Sequence, residues 1–333
     1  MATRTTPSGG VPQLAQAVRD GDRRALARAI TLVESTRPEH RAEAQVLLST
    51  LLPATGAAIR VGISGAPGVG KSTFIEAFGL YLIEQGHRVA VLAVDPSSPR
   101  SGGSILGDKT RMEALSRSPH AFIRPSPSGG TLGGVARRTR EAGLVCEAAG
   151  FDVVLIETVG VGQSETAVAD MVDLFALILA PGGGDELQGL KKGIVELADL
   201  LIINKADGEL AAVAERAAAE YRAALHLLRP ATPGWSPQVV QVSALERRGM
   251  DTVWAEVQRY RETLGPDGLS AKRARQAKAW MWHEIEQGLF GELRRNATVA
   301  ACIDELEAKV VQGVVTPAAA AETVLRTFRE TRG

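Results

Sequence analysis

Gly65-Ala66-Pro67-Gly68-Val69-Gly70-Lys71-Ser72 carries two glycine-spaced turns, a lysine and a hydroxyl in the pattern GxxxxGK[ST]. Residues of these types at this spacing hold a chain of phosphates. Glycines let the backbone curl so that successive N–H groups face phosphate oxygens, and the following helix, expected over Thr73–Gln85, adds the positive end of its dipole. Lys71 is placed to reach β- and γ-phosphates and to act catalytically there. Ser72 is placed to put its hydroxyl on Mg²⁺. A glycine-rich strand–helix turn without a ligand is the plain alternative, and the flanking strand and helix patterns argue against it.

Carboxylates come next. Asp95 follows the apolar run Val89–Val94, and Glu157 follows Val153–Ile156 and opens Glu157-Thr158-Val159-Gly160. An acid at the carboxyl end of a parallel strand stands at the ligand edge of the sheet and can enter the metal's shell. Gly160 can offer its N–H to a γ-phosphate. Asp108, in the glycine-rich stretch Gly102–Met112, is either a further metal ligand on a loop that orders around the ion or an ordinary turn aspartate.

Asn204-Lys205-Ala206-Asp207 follows the run Leu200–Ile203 and reads as NKxD. The Asp207 carboxylate can accept from guanine N1–H and from the exocyclic amine, whereas adenine would leave it unpaired. Lys205 can lie on the base, Asn204 can tie loops together, and backbone N–H groups of Ser243-Ala244-Leu245 can meet guanine O6. The nucleotide expected is therefore GTP, with GDP as product. No residue is marked out clearly as the one that positions the attacking water. Gln163 and Glu157 are the candidates, and no arginine stands out as a finger.

The elements that must position these residues follow from the apolar pattern. Ile59–Ile63, Val89–Val94, Ala121–Ile123, Val153–Ile156, Phe175–Leu179, Leu200–Ile203 and Val239–Val242 are apolar but for Arg60 and Gln241 and do not alternate, as expected of strands covered on both faces. With amphipathic segments between them they predict an α/β fold, a P-loop NTPase with a mostly parallel doubly wound sheet. Residues 1–56 read as a helical N-terminal extension, with helices from Pro12 to Leu52, a break at Pro38 and a linker at Pro53–Gly56. Residues 57–265 read as the nucleotide-binding domain and 266–333 as a helical arm. Its first helix, Ser270–Asn296, carries Trp282, Ile285, Leu289 and Leu293 on one stripe, and Thr316-Pro317 starts its last helix.

The chain has 333 residues, no net formal charge and 45% hydrophobic content, enough for a large core and unlike a nucleic-acid binder. The basic runs Arg137–Arg140 and Lys272–Arg275 read as solvated helix faces. Two distant cysteines fit a reducing cytoplasm, the apolar runs are too short to span a membrane, and the N-terminus has no apolar signal core. The five histidines are dispersed, which disfavours a metal-carrying GTPase.

Beyond these general motifs, Asp95-Pro96-Ser97-Ser98-Pro99, "GGSILGDKTRM" (102–112), "FIRPSPSGGTLGG" (122–134), "ETVGVGQSE" (157–165) and "APGGGDELQGLKKGIVELADLLIINKAD" (180–207) closely resemble the MeaB/ArgK family of GTPases. The likeness runs from about residue 10 to the C-terminus. It implies a homodimeric chaperone that binds the adenosylcobalamin-dependent methylmalonyl-CoA mutase, gates delivery of its cofactor and protects or reactivates it. An older reading of the same family is a P-loop kinase linked to basic amino-acid transport, and a metal-insertion GTPase is the other alternative. Within Ala180–Gly193, a glycine-started loop at a strand end, Asp185, Glu186, Gln188 and Lys191 are the residues expected to report nucleotide state to a partner; a solvated connection is the plain alternative.

Overall fold

The computed structural model describes residues 10–94, 112–125, 132–158, 164–182, 192–226 and 230–331. Asp95, Asp108, Gly160, Gln163, Asp185, Glu186, Gln188 and Lys191 lie outside these residues. The chain divides into two compact units, Met1–Ser270 and Ala271–Gly333.

The first unit is built on seven strands: β1 (Ile59–Gly65), β2 (Val89–Val94), β3 (Ala121–Arg124), β4 (Val153–Thr158), β5 (Leu174–Leu179), β6 (Leu200–Ile203) and β7 (Gln238–Gln241). They pair in parallel in the order β3-β2-β4-β1-β5-β6-β7. Every residue of β2, β4, β5 and β6 is buried, which explains the unbroken apolar sequences of β2, β5 and β6 and of β4 as far as Ile156; Glu157 and Thr158 end β4 as buried polar residues. All seven carboxyl ends share one edge. The two strands flanking β1 are β4 and β5, so the chain reverses its direction of sheet growth there, the place where ligands bind in open α/β sheets.

Helices cover both faces: α4 (Lys71–Glu84), the short α5 (Glu113–Arg117), α6 (Leu132–Ala148), α7 (Ser164–Ala169), α8 (Lys192–Leu197) and α9 (Ala211–Leu225). The N-terminal helices α1 (Val11–Arg19), α2 (Arg23–Val33) and α3 (Pro38–Leu51) pack on one another and on α6. Pro38 is the first residue of α3, where its missing N–H costs nothing. The Asp22 carboxylate caps α2 by accepting from Ala25 N (2.7 Å). Glu34, at the end of α2, accepts from the Arg124 guanidinium at the end of β3. These ties make the N-terminal helices part of the same unit as the sheet.

Arg138 departs from the solvated face expected of its basic run. It is 5% exposed and its Nε donates to Gly134 O (3.0 Å), because α6 lies between the sheet and the N-terminal helices. Cys146 lies on the same helix, fully buried, and burial pushes its thiol pKa far up, which makes it inert.

A long helix, α10 (Met250–Arg295), is broken at Gly265 (φ 63°, ψ 177°), just before Pro266. The helix predicted from Ser270 is thus preceded by a further helical stretch, Met250 to Leu264, that buries Val253, Trp254, Val257 and Tyr260 in the first unit's core. In the second unit, Asn296 caps α11 (Ala297–Val311), accepting from Thr298 N and Val299 N. Thr316 caps α12 (Pro317–Glu330), with Pro317 at its first position. No helix among the described residues is long and apolar enough to cross a membrane.

Candidate nucleotide site

The loop between β1 and α4 is shaped by glycines that nothing else could replace. Gly70 caps α4 at φ 91°, and a Cβ there would meet Asn204 Nδ2 at 2.7 Å. A Cβ on Gly65 would meet the backbone oxygen of Ile178 at 2.4 Å, so β5 leaves no room for any side chain. The Lys71 ammonium folds back over the loop and donates to Gly65 O (2.7 Å) and Ala66 O (3.1 Å). Burial lowers its pKa from the ordinary lysine value, and the carboxylates of Glu157 and Glu165 oppose that shift. Pro67, Gly68 and Thr73 are exposed around it, and Val69 is buried.

Glu157 is 5% exposed, and its Oε1 accepts from the Ser72 hydroxyl (3.3 Å). A carboxylate at a strand end and the first-turn hydroxyl of α4 therefore already face each other. This oxygen donor set, beside a loop built for phosphate, fits a hard divalent cation such as Mg²⁺.

The NKxD segment grips the phosphate loop from the other side. Asn204 Nδ2 donates to Val69 O (2.9 Å), its Oδ1 accepts from Ala244 N (3.0 Å), and Lys205 Nζ donates to Gly68 O (2.8 Å). Asn204 thus joins three loops, as its sequence context predicts. Asp207 is half-exposed just beyond them. Ser243 is fully buried, Ala244 nearly so, and Leu245 is 79% exposed at the crest of its turn. The structure brings Gly65–Thr73, Glu157, Asn204, Lys205, Asp207 and Ser243–Leu245 to one edge of the sheet.

Three features escaped the reading from sequence. Glu165 is fully buried and adds negative charge near Lys71; it lies within the "ETVGVGQSE" stretch and only its helical start could have marked it. Thr158 Oγ1 donates to Ser64 Oγ (2.9 Å), both fully buried, locking the strand end after Glu157 to the strand end before Gly65. Sequence shows these as two hydroxyls 94 positions apart, with nothing to join them. The third is Arg248, whose guanidinium donates to Ala206 O within the NKxD segment.

A family model described as "Methylmalonyl Co-A mutase-associated GTPase MeaB" matches residues 26–298. This chain belongs to that family. A relative from Caulobacter vibrioides is 61% identical over 309 residues, 92% of this chain and 94% of its own. The mouse protein named "Methylmalonic aciduria type A homolog, mitochondrial" is 51% identical over 93% of this chain and 77% of its own. The crystal structure titled "LAO/AO transport system kinase" matches with a TM-score of 0.76 at 39% identity, covering 98% of this chain and 99% of that one. The MeaB/ArgK chain is accordingly a P-loop GTPase: it binds guanine nucleotide and hydrolyses GTP.

Proposed function

We propose that this GTPase binds GTP and GDP through Gly65–Thr73, Gly160, Asn204, Lys205, Asp207 and the Ser243–Leu245 turn, and that it serves as a nucleotide-dependent chaperone of adenosylcobalamin-dependent methylmalonyl-CoA mutase. The observation that carries the second half is family membership over most of the chain, in a family whose description names the mutase. The mouse relative's name, a methylmalonic aciduria homolog, points the same way.

At the base, Asp207 accepts from the two guanine donors. The Ala244 N–H is already given to Asn204 (3.0 Å) and the Glu246 N–H to Ser243 Oγ (3.1 Å). The Leu245 N–H, at the exposed crest between them, is the donor left for guanine O6. At the phosphates, Lys71 must leave the carbonyls of Gly65 and Ala66 and turn its ammonium to the β- and γ-oxygens. There it neutralises charge that grows in the transition state, the main source of acceleration in phosphoryl transfer. Ser72, Glu157 and Asp95 would hold Mg²⁺, with Asp108 as a further ligand; the ion would supply positive charge against the phosphate oxygens. Glu157 also orients donors around the phosphate through its contact with Ser72.

The coupling residues Asp185, Glu186, Gln188 and Lys191, which follow β5 in the sequence, pass the nucleotide state to the partner. Turnover of GTP with and without purified mutase tests the proposal. The mutase should accelerate hydrolysis, and Lys191→Ala should abolish that acceleration while GTP binding and slow intrinsic hydrolysis persist. An unstimulated wild type would sink the chaperone reading; a variant stimulated like wild type removes Lys191 from the coupling. The kinase name carried by the solved relative makes one further arm worthwhile: γ-phosphate should appear as inorganic phosphate, and label transferred to a basic amino acid or protein acceptor would favour that older reading instead.

A further inference from the structure

Among the described residues only two that are not glycine sit at left-handed φ: Lys205 (φ 58°) and Arg247 (φ 55°). Such conformations are costly and persist where the surroundings over-determine them, typically at functional sites. Both occur in the two loops that leave β6 and β7, one on each side of the place assigned to the base.

The surroundings that hold them can be traced bond by bond. Lys205 is flanked by Asn204, whose N–H donates to Leu179 O (2.9 Å), and by Ala206, whose N–H donates to Val242 O (3.0 Å). Arg247 lies in a turn closed by a two-way bridge, Ser243 N to Arg248 O (3.1 Å) and Arg248 N to Ser243 O (3.0 Å). That closure uses backbone alone. The Arg248 guanidinium is not needed for it, and instead reaches out of its own turn to the carbonyl of Ala206, with Glu246 Oε2 at 3.6 Å from the same nitrogen. The Ala206 residue is thereby pinned at both ends, N–H to Val242 and C=O to Arg248. Asp207 is the next residue.

We propose that Arg248 is a positioning residue for guanine selectivity. Its guanidinium fixes the peptide that joins Ala206 to Asp207, and so fixes the carboxylate at the height and angle required by two parallel donors on one base edge. Without that latch the strained Lys205 turn can relax by rotating this peptide, which moves Asp207 off its second partner first. This inference rests on the assignment of Asp207 to the base.

The experiment uses the full-length protein and measures GDP and IDP affinities by calorimetry. IDP lacks the position-2 amine, so the GDP/IDP ratio counts the second bond to Asp207. Arg248→Met keeps the apolar stem and removes the donors; GDP affinity should fall about tenfold, as for a lost charge-assisted hydrogen bond, with IDP affected much less, so that the ratio collapses. Arg248→Leu, which also lacks a donor, carries the same expectation should the methionine variant fail to fold, and Arg248→Lys should restore part of the ratio. A wild-type ratio in the methionine or leucine variant, or equal losses for both nucleotides, overturns the inference. Asp207→Asn separates the two levels. If it keeps the wild-type ratio, the assignment of Asp207 itself is wrong; if it loses the ratio and Arg248→Met does not, only the role of Arg248 is wrong.

Discussion

Lys71 shows how much of this site depends on one side chain. In the structure its ammonium rests on two carbonyls, half-buried, with two carboxylates at hand. Those contacts keep a charge in place that only a phosphate chain uses fully. Lys71→Ala should therefore reduce single-turnover GTP hydrolysis by at least ~10²–10³, the usual cost of removing one charge-stabilising group from a transition state. A rate equal to wild type would mean that the phosphate grip lies elsewhere. At the base the matching change is Asp207→Asn, which should shift preference toward xanthine nucleotides, because the amide donates where the carboxylate accepts. Competition of XTP against GTP, measured in both proteins, reads this directly. Both residues were visible in the sequence because their motifs are contiguous and each has a strand in front of it.

At the scale of elements, the two edges of the sheet do different work. The carboxyl edge bears the loops of the site, and its polar groups serve a ligand. The amino edge has a buried polar cluster that is satisfied internally. Asp199 Oδ2 accepts from Phe175 N (3.0 Å) and Oδ1 from Thr232 Oγ1 (2.6 Å), while the Asp199 carbonyl accepts from Trp235 Nε1 (2.8 Å). Tyr260 OH donates to Asp173 O (2.6 Å) and ties the first part of α10 to the bottom of the sheet. Asp199→Ala would orphan the Phe175 N–H, at a cost of about 1–3 kcal/mol, and remove the shorter partner of the Thr232 hydroxyl. Denaturant unfolding should show that loss, and nucleotide affinity of the remaining folded protein should stay near wild type. The seven strands were legible because burial writes itself as mostly apolar runs, unbroken in the fully buried β2, β5 and β6, within a residue or two of the observed ends. The stretch Met250–Leu264 was not, because its core-facing Val253, Trp254, Val257 and Tyr260 follow a turn motif that drew attention to itself. Ser64–Thr158 and Arg248–Ala206 were invisible for a different reason: each joins residues whose proximity exists only once the sheet is assembled.

The whole molecule poses the question of what covers the second unit. Met281, Trp282, Ile285, Leu289 and Phe290 are 40–54% exposed, so the stripe read from the sequence remains on the surface and is wider than expected. Leu293 is half-buried. An amphipathic helix usually buries such a face, and a contiguous exposed apolar patch of this kind marks an interaction site. We infer that a second copy of the chain covers it, giving the homodimer that the family resemblance implies. A two-fold interface presents the same stripe twice and needs no other partner. Ile285→Glu together with Leu289→Glu should place four carboxylates in that interface and convert the dimer to a monomer. Light scattering measures the mass, and far-ultraviolet circular dichroism checks that the helices persist. GTP hydrolysis without the mutase should be unaffected, since every residue assigned to the nucleotide lies before Met250. A variant that stays dimeric with its helices intact would assign the exposed stripe to another partner, and the mutase is then the first to test, by asking whether the same two substitutions remove its stimulation of GTP turnover.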